Sequence, residues 1–265
     1  MTICVANLHV SYGRWRALHD VSCQAEAGKI TVVVGPNASG KSTLLRTIAG
    51  VQRPSHGRIT IRRRGSVRSI KRLSPKKRAA ALAYVAQRPT ISARFSVRQV
   101  VSLGRYALGR SEDRVDWAME MVGLQQSLFH RPFAELSVGQ QQLVAVARAL
   151  AQLGPDPQKP FDMSGRYLVL DEPTAALDLK HVGAVSAVAR MLADAGATVL
   201  MALHDLTLAA QAGDEAWLLS QGRLMAAGDV DQVLEPGQLS EVFGCGFRLV
   251  REVGGGSYLL PAAHL

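Results

Sequence analysis

The chain has 265 residues, 48% apolar and 20% charged, an ordinary globular balance without internal repeats or low-complexity tracts, enough for one large domain or two small ones. Cys4, Cys23 and Cys245 are odd in number, far apart and in no metal-ligand spacing, which argues against a disulfide framework or a zinc site and reads as reduced packing thiols of a cytosolic protein. No charged segment followed by a long apolar stretch opens the chain, and no apolar run is long enough to span a bilayer, so service at a membrane would come from the cytoplasmic side through a partner.

Residues 2–10 carry β-branched residues at a rough period of two and predict a strand, with Ser11-Tyr12-Gly13 as a turn. Tyr12 reads as a packing residue or as a ring able to stack on a nucleobase. Ile30 to Val34 is a β-branched run that predicts a buried strand. Leu44, Leu45, Ile48 and Ala49 then fall at helical spacing, with Gly50 as a stop. Between them lies Gly35-Pro36-Asn37-Ala38-Ser39-Gly40-Lys41-Ser42, followed by Thr43, a full match to the phosphate loop G-x-x-x-x-G-K-[ST] in its required strand-loop-helix context. The glycines let backbone N–H groups curl around anionic oxygens, and the helix aims its positive end at the same place. Lys41 reaches the β- and γ-phosphates and Ser42 offers its hydroxyl to a magnesium ion. The chain is therefore expected to bind a nucleoside triphosphate.

Arg58 to Ile61 alternates polar and apolar, predicting a half-exposed strand. From Arg62 to Arg78 run nine Lys and Arg with no acid, contributing to the net charge of +10. This stretch reads as a solvated β-turn region or a contact for anionic lipid headgroups, and less well as a nucleic-acid contact, since it lacks interleaved aromatics. An apolar run from Ala79 to Val85 ends before Pro89.

Ser96 to Leu150 reads as a helical insert, with Val97, Val100, Val101 and Leu103 on one face and Val115, Ala118, Met119 and Val122 on another. Within it, Ser137 as N-cap and Gln140 three residues on make a capping box, with Gly139 in the first turn. Gly154 to Gly165 is a proline-rich surface loop. Tyr167 to Glu172 predicts a strand buried on both faces, as in a parallel sheet, with Asp171 and Glu172 at its carboxyl end, where ligands bind in open α/β sheets. Such carboxylates call for a cation or substrate. A helix is predicted from Ala175 to about Ala195, a strand over Ala197 to Leu203 with His204-Asp205 at its end, another over Ala216 to Leu219, and a helix at Leu239 to Phe243. The tail with Gly254-Gly255-Gly256 and Tyr258 to Leu260 carries nothing catalytic.

Taken together and in order, these pieces resemble the ATP-binding subunit of ABC transporters over essentially the whole chain. The resemblance rests on the phosphate loop, Gln87 in the Q-loop position, Leu136-Ser137-Val138-Gly139-Gln140 as the signature, Leu168 to Glu172 as Walker B, Ala176-Leu177-Asp178 as the D-loop and His204 as the switch histidine. Two positions depart from the family pattern: Val138 replaces the first glycine of the signature, and Ala175 stands where serine is commoner. The resemblance implies an α/β P-loop NTPase core with an antiparallel β subdomain, covering 1–87 and 162–265, and an inserted helical signature subdomain over 88–161. It implies ATP hydrolysis with magnesium by a head-to-tail homodimer, each ATP lying between one subunit's phosphate loop and the other's Ser137, Gly139 and Gln140. Tyr12 then stacks on adenine; Gly35 to Thr43 hold the phosphates; Ser42, Gln87 and Asp171 arrange the metal; Glu172 polarises water; His204 contacts the γ-phosphate; Asp178 belongs to the D-loop.

Within the family, His204 to Ala210 and the run from Gly222 to Leu234 look like importers of iron chelates, haem and vitamin B12, and the proline-rich loop resembles that of haem-importer ATPases. The implied partners are two membrane permease subunits and, indirectly, a periplasmic binding protein, at the cytoplasmic face of a bacterial inner membrane, with no nucleic acid. A ferric siderophore or vitamin B12 importer is the alternative cargo reading. A soluble ABC-type ATPase acting on nucleic acid is the alternative from another class, although long heptads, zinc-binding cysteine pairs and a second ATPase domain are missing from the sequence.

Overall fold

The computed structural model describes residues 2–63, 66–91, 94–154, 161–251 and 257–262. In chain order the elements are β1 (Thr2–Tyr12), β2 (Trp15–Ala25), β3 (Ile30–Val34), α1 (Lys41–Ile48), β4 (His56–Arg63), β5 (Ser66–Ser69), α2 (Pro75–Ala81) and β6 (Leu82–Val85). There follow α3 (Val97–Ser102), α4 (Glu112–Met121), α5 (Val138–Leu153), β7 (Tyr167–Asp171), α6 (Leu179–Asp194), β8 (Thr198–Ala202) and α7 (Leu206–Ala212). The chain continues through β9 (Glu215–Ser220), β10 (Arg223–Asp229), α8 (Val230–Val233), α9 (Pro236–Phe243), β11 (Phe247–Arg251) and β12 (Ser257–Pro261).

The central sheet has the order β10-β9-β3-β8-β7-β6, parallel throughout except for the β9–β10 hairpin. Its inner strands β3, β7 and β8 are buried at every residue, which is why they read as continuous apolar runs. Even so, their side chains sort by a period of two. Val32, Val34, Leu168, Leu170, Val199 and Met201 face one apolar cluster, while Val33, Val169 and Leu200 face another. The first cluster is shared with α3, α4 and α5, so the helical segment packs directly on one face of the sheet. The second lies beneath the antiparallel sheet β2-β1-β4-β5 and encloses Leu44, Leu45 and Ile48 of α1. The mixed architecture is the P-loop α/β core with antiparallel β subdomain and helical segment that the sequence implies.

Some boundaries differ from expectation. β1 runs on to Tyr12, so the turn moves to Gly13-Arg14. The Ala79 to Val85 run splits into the end of α2 and all of β6, because Leu82 turns extended at the helix C-cap. The stretch from Ser96 to Leu150 forms three helices separated by 3₁₀ turns. Leu103 leaves the face of Val97, Val100 and Val101 and is 40% exposed, since the chain tightens into a 3₁₀ turn at that point. The helix expected from Ala175 starts at Leu179, because the Asp178 side chain caps it by accepting from the His181 N–H. The proline-rich loop lies partly, at 155–160, outside the described residues, and so does the triple glycine of the tail. Among the described residues no helix is long and apolar enough to cross a membrane, and no group of His, Cys, Asp or Glu is arranged to hold a metal ion on its own.

Candidate nucleotide site

The site sits at the carboxyl ends of β3, β7 and β8, three adjacent parallel strands whose chain ends point the same way. β3 runs into the phosphate loop. Gly35 (φ 145°) passes so close to the Leu219 carbonyl that a Cβ would lie 2.0 Å from its oxygen, and Gly40 (φ 106°) is hemmed in by Leu18. No other residue type fits either position. Gly40 is also the N-cap of α1 and brings no side chain to the first-turn N–H groups, which are left to an anionic ligand.

Lys41 is buried, and its Nζ donates to the Gly35 carbonyl at 2.7 Å and the Pro36 carbonyl at 3.0 Å. Burial pulls its pKa down, and the nearby carboxylates of Glu172 and Asp171 oppose that shift. Ser39 is buried, and its hydroxyl has no partner among the described residues. Asp171, fully buried, accepts from the Ser42 hydroxyl at 2.8 Å and from the Tyr84 hydroxyl at 3.1 Å. Burial, then the charge of Asp171, pushes the Tyr84 pKa up to about 12, so the phenol stays protonated and donates. Glu172 follows in the left-handed region (φ 51°), a conformation that costs a non-glycine residue on the order of 1 kcal/mol or more. The bend brings its carboxylate against the Gln87 amide on one oxygen and the His204 imidazole on the other.

Gln87, Glu172 and His204 face one cleft of about 220 Å³, lined also by Asn37 to Thr43 of the loop and helix and by Trp15, with Asp171 behind it bonded to Ser42. The structure thus gathers Lys41, Ser42, Gln87, Asp171, Glu172 and His204 from distant parts of the sequence. Tyr12 is not among the cleft-lining residues. Its ring stacks at 5.8 Å, tilted by 19°, on Trp15, its cross-strand partner across the two-residue turn, and Trp15 reaches the cleft. Sequence reading missed Trp15, although two aromatics flanking a tight Gly13-Arg14 turn were a usable signal. It also missed Tyr84, whose role as donor to Asp171 depends on β6 lying beside β7.

The signature residues stand elsewhere. Ser137 and Gln140 form the capping box of α5 in full: the Ser137 hydroxyl accepts from the Gln140 N–H, and the Gln140 side chain accepts from the Ser137 N–H. Gly139 packs against the D-loop of the same chain, where a Cβ would meet the Ala176 carbonyl oxygen at 2.5 Å. Val138 is 65% exposed at the first helical position. Asp178 is spent on capping α6.

The donor set fits a magnesium ion beside phosphates: a hydroxyl and a fully buried carboxylate 2.8 Å apart, all hard oxygen ligands. Chemically, the arrangement places the Lys41 ammonium and N–H groups on one side of the cleft and, on the other, a carboxylate oriented by an amide and an imidazole. That combination suits phosphoryl transfer to water.

Comparison with known proteins agrees. Residues 18–175 match the ABC transporter family. A hemin import ATP-binding protein of Chelativorans sp. (strain BNC1) is 40% identical over 90% of both chains, and one of Gloeobacter violaceus is 39% identical over 96% of this chain and 94% of its own. A dimeric bacterial ABC transporter cassette superposes with a TM-score of 0.72 at 25% identity, covering 86% of this chain and 98% of that one. The phosphate loop, the paired acids at the end of β7 and these full-length likenesses converge: the chain belongs to the ABC transporter family and is an ATP-binding, ATP-hydrolysing member of it.

Proposed function

We propose that this chain is the ATPase subunit of a bacterial haem importer, working as a homodimer beneath two permease subunits at the cytoplasmic face of the inner membrane and fed by a periplasmic binding protein. The single observation that carries the catalytic part is the contact of Glu172 with both Gln87 and His204 at the mouth of the phosphate-loop cleft. Full-length likeness to hemin import ATP-binding proteins supports the cargo, with a ferric siderophore as the competing one.

In this reading the loop N–H groups and Lys41 hold the β- and γ-phosphates of ATP, exchanging the Gly35 and Pro36 carbonyls for phosphate oxygens. Ser42 and Asp171, with Gln87, would hold magnesium, which neutralises charge on the phosphates when bound. Tyr84 fixes one Asp171 oxygen so that the other faces Ser42. Glu172 accepts a hydrogen bond from the attacking water and takes up its proton, and His204 orients that carboxylate and contacts the γ-phosphate. The base stacks on the aromatic pair of Tyr12 and Trp15. Ser137, Gly139 and Gln140 line none of this chain's cleft; in this reading, as the family resemblance implies, they act on the partner subunit's nucleotide.

The test is ATPase activity in proteoliposomes containing the permease. Haem-loaded binding protein stimulates turnover, a siderophore-loaded one does not, and Glu172→Gln lowers the stimulated rate by 10² to 10⁴-fold, the range of general-base loss. Stimulation by the siderophore protein alone would discard haem and keep the catalytic roles, whereas an unchanged Glu172→Gln rate would remove Glu172 as base.

A further inference from the structure

Between Glu26 and Glu112 the sequence contains no Asp or Glu, yet this stretch holds 19 of the 31 Lys and Arg of the chain. The nucleotide site uses Lys41. Most of the others have no role in it.

The fold collects part of this charge on one face of the β subdomain. Arg68 on β5, Arg72 in the 3₁₀ turn after it, and Lys76 and Lys77 on α2 are all exposed. Arg68, Arg72 and Lys77 line a concavity of about 360 Å³ together with the hydroxyl-bearing Ser69 and Ser74. Val67, 57% exposed, lines it too, an apolar side chain among cations. None of the ion pairs between described residues involves Arg68, Arg72, Lys76 or Lys77.

Nor do the adjoining elements offer an acid. β5 pairs with β4, and α2 packs against β6 and α5; all three are free of Asp and Glu along their whole length. The cations therefore repel one another with no acid on these three neighbouring elements to offset them, and an external anionic surface relieves that repulsion. Guanidinium and ammonium groups beside hydroxyls suit phosphate oxygens. Ser66 to Ala81 contains no aromatic residue on which a base could stack, which disfavours single-stranded nucleic acid. An exposed apolar residue within the basic rim suits a headgroup interface.

We infer that this face, built on β5, the following 3₁₀ turn and α2, docks on the anionic phospholipid headgroups of the membrane that the transporter occupies. It is a contact of the ATPase subunit itself, independent of nucleotide chemistry and of the cargo.

The test uses the full chain and sedimentation with vesicles of phosphatidylcholine alone or with phosphatidylglycerol. Binding requires the anionic lipid and weakens as salt rises from 0.1 to 0.5 M. The triple variant Arg68→Ala, Arg72→Ala, Lys77→Ala binds about a hundredfold less tightly, as expected for three basic side chains near a charged bilayer, with its basal ATPase rate and melting temperature unchanged. Equal binding of variant and wild type, or equal binding to both vesicle types, overturns the inference. Displacement of the vesicles by inorganic phosphate at constant ionic strength would make this a free-anion site instead. Displacement by duplex DNA at equal charge, with loss of DNA binding in the same variant, would make the partner nucleic acid.

Discussion

Two helix N-termini in this chain begin next to a glycine and a small polar residue, and they are finished in opposite ways. α1 starts from Gly40, which supplies no cap, and its first turn contains no acid; its donors are open to the cleft where Lys41 and Ser42 already sit. α5 starts from Ser137, whose hydroxyl accepts from the Gln140 N–H while the Gln140 side chain accepts from the Ser137 N–H, so two donors at this end are engaged within the chain. The first end carries no side-chain cap, whereas the second carries a full capping box. A helix end whose capping box already engages two N–H groups has fewer donors to offer a phosphate. Gly139 also packs tightly on Ala176, which ties the start of α5 to the Ala176-Leu177-Asp178 segment of the same chain.

Lys41→Ala would break the comparison at α1 most severely. Loss of a charge-assisted contact to phosphate is expected to weaken ATP binding by about 1.5–3 kcal/mol, or about 10 to 150-fold, measured by calorimetric titration, and undiminished affinity would contradict the phosphate-loop assignment. Gly139→Ala tests the other end, and its sign is informative. On an open helix surface alanine would stabilise by about 0.5–1 kcal/mol; against the Ala176 carbonyl it is expected to destabilise by about 1–3 kcal/mol in thermal denaturation and to slow turnover while leaving ATP affinity of the monomer intact. Ser137→Ala removes half of the capping box and is expected to cost about 1 kcal/mol in the same melt, with Ser137→Thr retaining most of it. A larger loss in turnover than that cap accounts for would show the hydroxyl reaching a partner's nucleotide.

Much of this protein is legible in its sequence. Phosphate loop, capping box and Walker B strand are local patterns: a glycine that must adopt positive φ, a side chain that closes on its own backbone, an apolar run that only a doubly covered strand tolerates. Each is decided by a few neighbouring residues, and each was found where expected. Gln87 and His204 were placed by resemblance, since nothing about an isolated glutamine or histidine marks it.

What only the tertiary structure decided is which distant residues meet. Parallel order β3-β8-β7-β6 carries Ser42, His204, Glu172 and Gln87 to one rim, and puts Tyr84 beside Asp171 across a strand pair that no local pattern announces. The same holds for Trp15, brought to the cleft while Tyr12 lies stacked on its ring, and for Leu103, turned out by a 3₁₀ turn that its helical spacing did not reveal. Local conformation follows from short-range sterics and hydrogen bonding, which neighbouring residues determine. Contacts across the sheet follow from strand order and packing of the whole chain, and these are properties of no single segment.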